Sequence, residues 1–199
     1  SISRTTISFI VVSSAGLFLA GCVSDQELAG YSAKEAGFGV VAASVSISTK
    51  GKEAVWLQNK DQAKAVSKRV HDLVHKKTIN ADTAVQVALL NNKGLQAAYA
   101  DIGMTAAEAW QQSLPENPRV SIGLLGIGAP ELGAYRAIEG MIAANILSLA
   151  TRKARVDIAD TRFRQSQMRA VDATLKVAND TRRAWVNAVS AFETVAYLN

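Results

Sequence analysis

The chain is poor in cysteine, proline and aromatic side chains, and each shortage removes a class of structure. A single cysteine stands among 199 residues, so no internal disulfide framework exists. Three prolines and 6% aromatics suit long helices better than a β-sandwich. Positive charge is present but thin: the net charge is +5, and the basic residues are spread along the chain. No basic run interleaved with aromatics appears, which argues against a nucleic-acid partner. What is abundant is small and apolar: 49% of residues are hydrophobic, with alanine prominent. This length is enough for one domain or one long extended body.

The lone cysteine, Cys22, sits where an apolar run ends. Residues 7–20 are apolar or small, with Arg4 before them. The run is too short for a confident transmembrane helix, but it has the form of a secretory signal. Leu19-Ala20-Gly21-Cys22 resembles a bacterial lipobox, in which the cysteine sulfur receives a diacylglycerol before cleavage. Residues 1–21 are therefore expected to be a lipoprotein signal peptide and Cys22 the lipidation site. The plainer alternative is an unmodified cysteine in an ordinary signal or helix. Acyl chains contribute roughly 0.8 kcal/mol per buried CH₂, so several on one residue hold a protein firmly to a bilayer. Val23, in place of an Asp, leans towards the outer membrane. The chain opens on Ser1 rather than Met, and its extreme N-terminus is expected to be missing.

Residues 22–52 are rich in Ser, Ala and Gly and read as a lipid-anchored linker lying along a surface, with a short strand at Ser44-Val-Ser-Ile-Ser48. Residues 53–76 then read as a helix, with Val55, Ala63, Val66, Val70 and Val74 at helical spacing. Thr78-Ile79-Asn80 breaks it, and Thr78 or Asn80 can cap the next helix. That helix begins near Ala81, bends at Asn91-Asn92-Lys93-Gly94, and ends before Pro115.

Two alternating segments follow. Arg119 to Gly128 is β-tolerant, and a turn at Ala129-Pro130-Glu131-Leu132-Gly133 separates it from Arg136 to Leu147. In the second segment Ile138, Ile142 and Ile146 fall on one side of a strand and Glu139 and Asn145 on the other. Each is long enough for a tilted membrane strand, but alternation alone favours a buried hairpin in a soluble domain, because the barrel signal of a single strand is weak. From Met141 to Asn199 there is neither Gly nor Pro. Residues from about 149 onward read as one helix of roughly 50 residues, about 75 Å long. It bears two apolar stripes. One runs Met168, Val171, Leu175, Ala178, Arg182, Trp185, Val189, Phe192, Ala196. The other runs Ala170, Ala173, Val177, Ala184, Ala188, Ala191, Val195, Leu198. One stripe serves a two-stranded coiled coil; two imply neighbours on two sides.

Signs of catalysis are few. His71 and His75 lie at i and i+4 in His71-Asp72-Leu73-Val74-His75, an echo of the zinc-binding H-E-x-x-H pattern. Asp72 stands where that pattern has Glu, and no third ligand is recognisable, so catalysis by a metal is not expected. Gly123, Gly126 and Gly128 lie inside a strand-like run rather than before a helix, which does not make a phosphate loop. No serine occupies a G-x-S-x-G elbow. Asp157 and Asp160, interspersed with Arg152, Arg155 and Arg162, read as surface ion pairs. The expectation is a non-enzyme with no catalytic residue, cofactor or metal.

The order of helix, Pro-bounded strand pair and very long helix behind a lipobox resembles the N-terminal half of the TolC-like outer-membrane efflux proteins. Ala84 to Ala100, AVQVALLNNKGLQAAYA, is similar to that family's A-x-x-x-A-L-x-N-N-x-x-L-x-A-A helix. Leu114 to Ser121, LPENPRVS, is similar to its L-x-P-N-P-x-x-S entry into the first strand, with Glu116 inserted. Arg152 to Ala159 resembles the start of the helix after the second strand. The resemblance covers residues 53–199. It implies a mainly α fold with a β-hairpin, in which long helices form part of an α-barrel and strands at about 119–128 and 136–147 cross the outer membrane. It implies a homotrimer that conducts small molecules passively, with a periplasmic adaptor protein and an inner-membrane transporter as partners. The location implied is the outer membrane of a Gram-negative bacterium, with the body extending into the periplasm. The family is an internal duplication, and one repeat is present here, so the chain is expected to be a fragment, a truncated gene product or half of a split protein. The alternative from a different class is a lipid-anchored periplasmic coiled-coil scaffold or adaptor.

Overall fold

The computed structural model describes residues 25–114 and 132–198, with side chains over 29–114 and 150–198. Six helices make up the described chain: α1 (Asp25–Ser32), α2 (Phe38–Ser48), α3 (Lys60–Val74), α4 (Ala81–Asn91), α5 (Lys93–Ser113) and α6 (Leu132–Leu198). The protein is mainly α, and the described residues contain no strand. The shaft is α6, 67 residues and roughly 100 Å at 1.5 Å per residue. Helices α4 and α5 run antiparallel to it and cover one side. Ser113 at the end of α5 lies beside Arg152, Tyr99 beside Thr174, and Asp82 at the start of α4 beside Arg182.

The helix boundaries follow local chemistry. Asn59, Asn80 and Asn92 each turn a side-chain oxygen onto the amide three residues on, at 2.8, 2.8 and 3.1 Å, and so begin α3, α4 and α5. Asn80 rather than Thr78 is the cap of α4. The break at Asn92 is the expected bend: its extended backbone ends α4 and its side chain starts α5.

The core lies where α2 enters the groove between α5 and α6. Phe38, Val41 and Val45 are buried there with Val85, Leu89, Leu95, Tyr99 and Ile102. The Phe38 and Tyr99 rings stand 4.8 Å apart, and Tyr31 meets Phe163 edge-on at 5.4 Å. Gly37 permits the entry. Its φ is +73°, and a Cβ there would fall 2.6 Å from Phe163 Cζ.

Three sequence expectations are corrected. Residues 22–52, read as a linker with a short strand, form α1 and α2 within their described part. The Ser-Val alternation looked β-like, but Phe38, Val41 and Val45 at three- and four-residue steps face the core, while Ile47 is 82% exposed. Second, residues 53–58 are extended, and the helix starts only at Lys60. Third, residues 136–147, read as a membrane strand, are helical in this single chain as part of α6. Alanine, Leu, Met and Glu in RAIEGMIAANIL are strong helix formers, and a helix pairs its own backbone groups whereas a strand there needs neighbours on both edges. The first strand expected, 119–128, lies outside the described residues. So does Cys22 with the signal segment 1–21.

Candidate functional site

The candidate site is the surface of α6, since its covered and uncovered faces determine what the helix can join. Between Arg152 and Trp185 one band of α6 is packed. Val156, Ala159, Phe163, Ala170 and Ala178 are buried in it, and Ala173, Val177 and Trp185 are half-buried. This band draws on both expected stripes. Ala170, Ala173 and Val177 come from the second and Ala178 and Trp185 from the first, while Met168 of the first is exposed.

Polar contacts fix the register of this packing. The hydroxyls of Tyr99 and Thr174 meet at 2.8 Å in the core, and those of Thr105 and Ser166 at 2.7 Å. Burial pushes the Tyr99 phenol up, and the Thr174 bond opposes it in part. The Gln167 side chain donates to Gly37 O at 2.9 Å, and the Trp185 indole donates to Ile79 O at 3.0 Å. Tyr31 donates to Asp160 at 2.5 Å, and Arg164 donates to the same carboxylate at 2.7 Å. Burial would raise the Asp160 carboxyl, but these two bonds and the Arg164 charge outweigh it and hold the group below its usual range. Arg182 bonds Asp82 at 2.5 Å and, with Lys52, holds that exposed carboxyl low as well. Asp160 thus joins separate elements, whereas Asp157 pairs with Lys153 on its own helix at 2.9 Å.

A second arrangement holds the segment before α3 against α4 and α5. The extended segment Glu53–Gln58 is strapped down by two glutamine side chains. Gln86 accepts from Glu53 N and donates to Glu53 O, at 2.9 and 3.0 Å. Gln96 accepts from Leu57 N and donates to Val55 O, both at 2.8 Å. Gln86 is on α4 and Gln96 on α5, so the strap spans the break at Asn92. Trp56 of the strap packs on Gly103, where a Cβ would meet its ring at 2.9 Å. Arg69 of α3 bonds Glu53 at 2.5 Å and holds that carboxyl below its usual range. Sequence reasoning missed Gln86 and Gln96, which sit as polar gaps in apolar helices; that position was the available signal.

Past Trp185 the helix changes character. Val186, Phe192, Val195, Tyr197 and Leu198 are exposed, Phe192 at 76% and Tyr197 at 90%. The remaining expected site residues are placed as follows. His71 is in the last turn of α3 and His75 caps it, both exposed. Ile138, Glu139, Ile142, Asn145 and Ile146 lie on α6, outside the described side chains. Among the described residues no helix is long and apolar enough to cross a membrane, and no three His, Cys, Asp or Glu gather into a metal-holding group. A groove of about 380 Å³ runs between α5 and α6 beside Glu108, Gln111, Arg155 and Arg162; it is open, and no nucleophile with a base beside it lines it. No protein-family model, curated protein or solved structure matches the chain.

Proposed function

We propose that the chain is one repeat of an outer-membrane efflux channel, a passive conduit for small molecules in a tripartite pump. In this reading it is anchored by lipid at Cys22 and assembles as a trimer with a periplasmic adaptor and an inner-membrane transporter. The observation that carries the proposal is α6. A helix of 67 residues is far longer than a compact domain uses. It is packed along one band from Arg152 to Trp185 and continues as an exposed apolar surface beyond it. Such a helix suits a wall of helices in which each stands between two others. Conduction through a wall of this kind needs no chemical step.

The membrane part of the proposal belongs to the assembly. A strand pair in lipid must close its edges, because each unsatisfied backbone group there costs several kcal/mol. Two strands from one repeat cannot do this, and helix over 132–147 is the single chain's way of pairing its backbone. In the assembled channel residues 119–128 would stand as one strand, and residues 136–147 would leave their helix to pair with it as neighbouring chains supply the missing edges.

The helical state of residues 136–147 equally favours a second reading, a lipid-anchored periplasmic coiled-coil scaffold. One experiment separates the two. Residues 22–199 are supplied with a second helix–strand-pair–helix repeat, fused or in trans, and reconstituted in a planar bilayer. The channel reading expects a trimer, reproducible single-channel openings, and a stronger infrared β signature than that of the lone chain. An all-helical product without conductance overturns it and leaves the scaffold.

A further inference from the structure

His71 and His75 remain unexplained by any packing or by the channel reading. His71 is in the last turn of α3 and His75 caps it, on a helix that buries none of its residues. His75 is the residue that ends the helix, yet its amide still bonds His71 O at 2.8 Å and its φ is −65°. It therefore keeps the i, i+4 register with His71. The two rings lie face to face, with centroids 4.5 Å apart and 20° between their planes. Both are open to solvent.

We propose that this pair is a two-point binding site for a late first-row divalent metal ion, with Cu²⁺ held more tightly than Ni²⁺ or Zn²⁺. Imidazole nitrogens bind such ions at about 2.0–2.1 Å, so two neighbouring ligand atoms stand roughly 3 Å apart. Rings already stacked at 4.5 Å reach that separation by tilting their edges together, with no movement of backbone. The Asp72 carboxylate stands 3.6 Å from His71 Nδ1, the place of an outer-shell carboxylate that orients a ligating ring and leaves Nε2 to the metal. The location also suits a cation, because the C-terminal end of a helix carries partial negative charge. Opposing cations are near in sequence: Lys68, Arg69, Lys76 and Lys77. Arg69 is engaged away from the site with Glu53, whereas the Lys77 ammonium bonds the Asp72 carbonyl at 2.6 Å, beside the site, and its charge opposes the ion.

Two protein ligands leave the remaining positions to water. Catalytic zinc sites use three protein ligands and structural ones four. The site is therefore an exchangeable one that loads and releases its ion, and it performs no catalysis. The order of affinity follows the general preference of nitrogen ligands for Cu²⁺ among these metals.

The test uses residues 22–199 without a polyhistidine tag and with Cys22→Ser, so that the thiol does not compete. Calorimetric titration with Cu²⁺ should show one equivalent bound, and the electron paramagnetic resonance spectrum should show coupling to two nitrogens. His71→Gln and His75→Gln should each weaken binding tenfold or more and reduce the coupling to one nitrogen. Because both rings are exposed, helicity and Tm without metal should match those of the parent, which separates loss of ligand from loss of fold. If either single variant binds Cu²⁺ as tightly as the parent, or the parent shows one-nitrogen coupling, the two histidines act independently and the proposal fails.

Discussion

The stretch of α6 from Arg152 to Trp185 and the stretch from Val186 to Leu198 are written in the same alphabet but live differently. Both repeat apolar residues at three- and four-residue steps. In the first, small and aromatic residues are buried against α2, α4 and α5, and hydroxyl and amide contacts pin the register. In the second, Phe192, Val195, Tyr197 and Leu198 are exposed. The difference teaches that a stripe records a capacity to pack. Whether it packs depends on what the rest of the chain brings alongside.

The sharpest way to break the comparison is to cut into the covered stretch. Ile102→Ala removes a fully buried side chain from the face that α5 lays against the shaft, and should cost about 2–5 kcal/mol in chemical denaturation. Gly37→Ala should cost about 1–3 kcal/mol, because the new Cβ meets the Phe163 ring at a backbone angle that disfavours it. Gln86→Ala leaves the amide and carbonyl of Glu53 without their partner, and about 1–2 kcal/mol should be lost, read as faster hydrogen exchange at Glu53. The Glu53–Arg69 pair predicts a smaller, pH-dependent effect. Its carboxyl is held low in the folded state, so its stabilisation is complete above the unfolded carboxyl pKa and is lost as pH falls through the lower folded value. The pair is about half exposed, so its worth is under about 1 kcal/mol, and Glu53→Gln should flatten the acid limb by that amount. Phe192→Ala, in the uncovered stretch, should shift the single chain's stability by less than about 0.5 kcal/mol. A loss as large as that of Ile102→Ala would show that the end of α6 is already packed in solution.

Much of the helical frame is legible in the sequence alone. The break at Asn92, the cap at Asn80 and the stop before Pro115 each rest on a local preference that tertiary contacts do not oppose. Three features are not legible there, for different reasons. Ser44 to Ser48 alternates as a strand does, but its period-two pattern loses to the longer-range pull of Phe38, Val41 and Val45 into the core. Residues 53–58 carry helix-compatible residues, and the glutamine side chains that hold their backbone out of a helix lie more than thirty positions away. Residues 136–147 satisfy both a two-residue and a helical pattern, and a lone chain takes the one that needs no neighbour. Of the candidate site, the two stripes of α6 are visible as periodicity. The Tyr99–Thr174 and Thr105–Ser166 pairs are invisible, because a hydroxyl in a stripe looks like a gap until its partner is found.

The strap has a kinetic corollary. Its four hydrogen bonds join Glu53, Val55 and Leu57 to glutamines 33 to 41 positions later in the chain. Gln86 and Gln96 can present paired amides at the right spacing only once α4 and α5 have formed and met at Asn92. Closure of residues 53–58 is thus expected late in folding, and its opening early in unfolding. Weakening the clasp should leave the refolding arm of a chevron nearly unchanged and raise the unfolding arm. By the same logic residues 53–58 would be the first place a protease finds the native chain open.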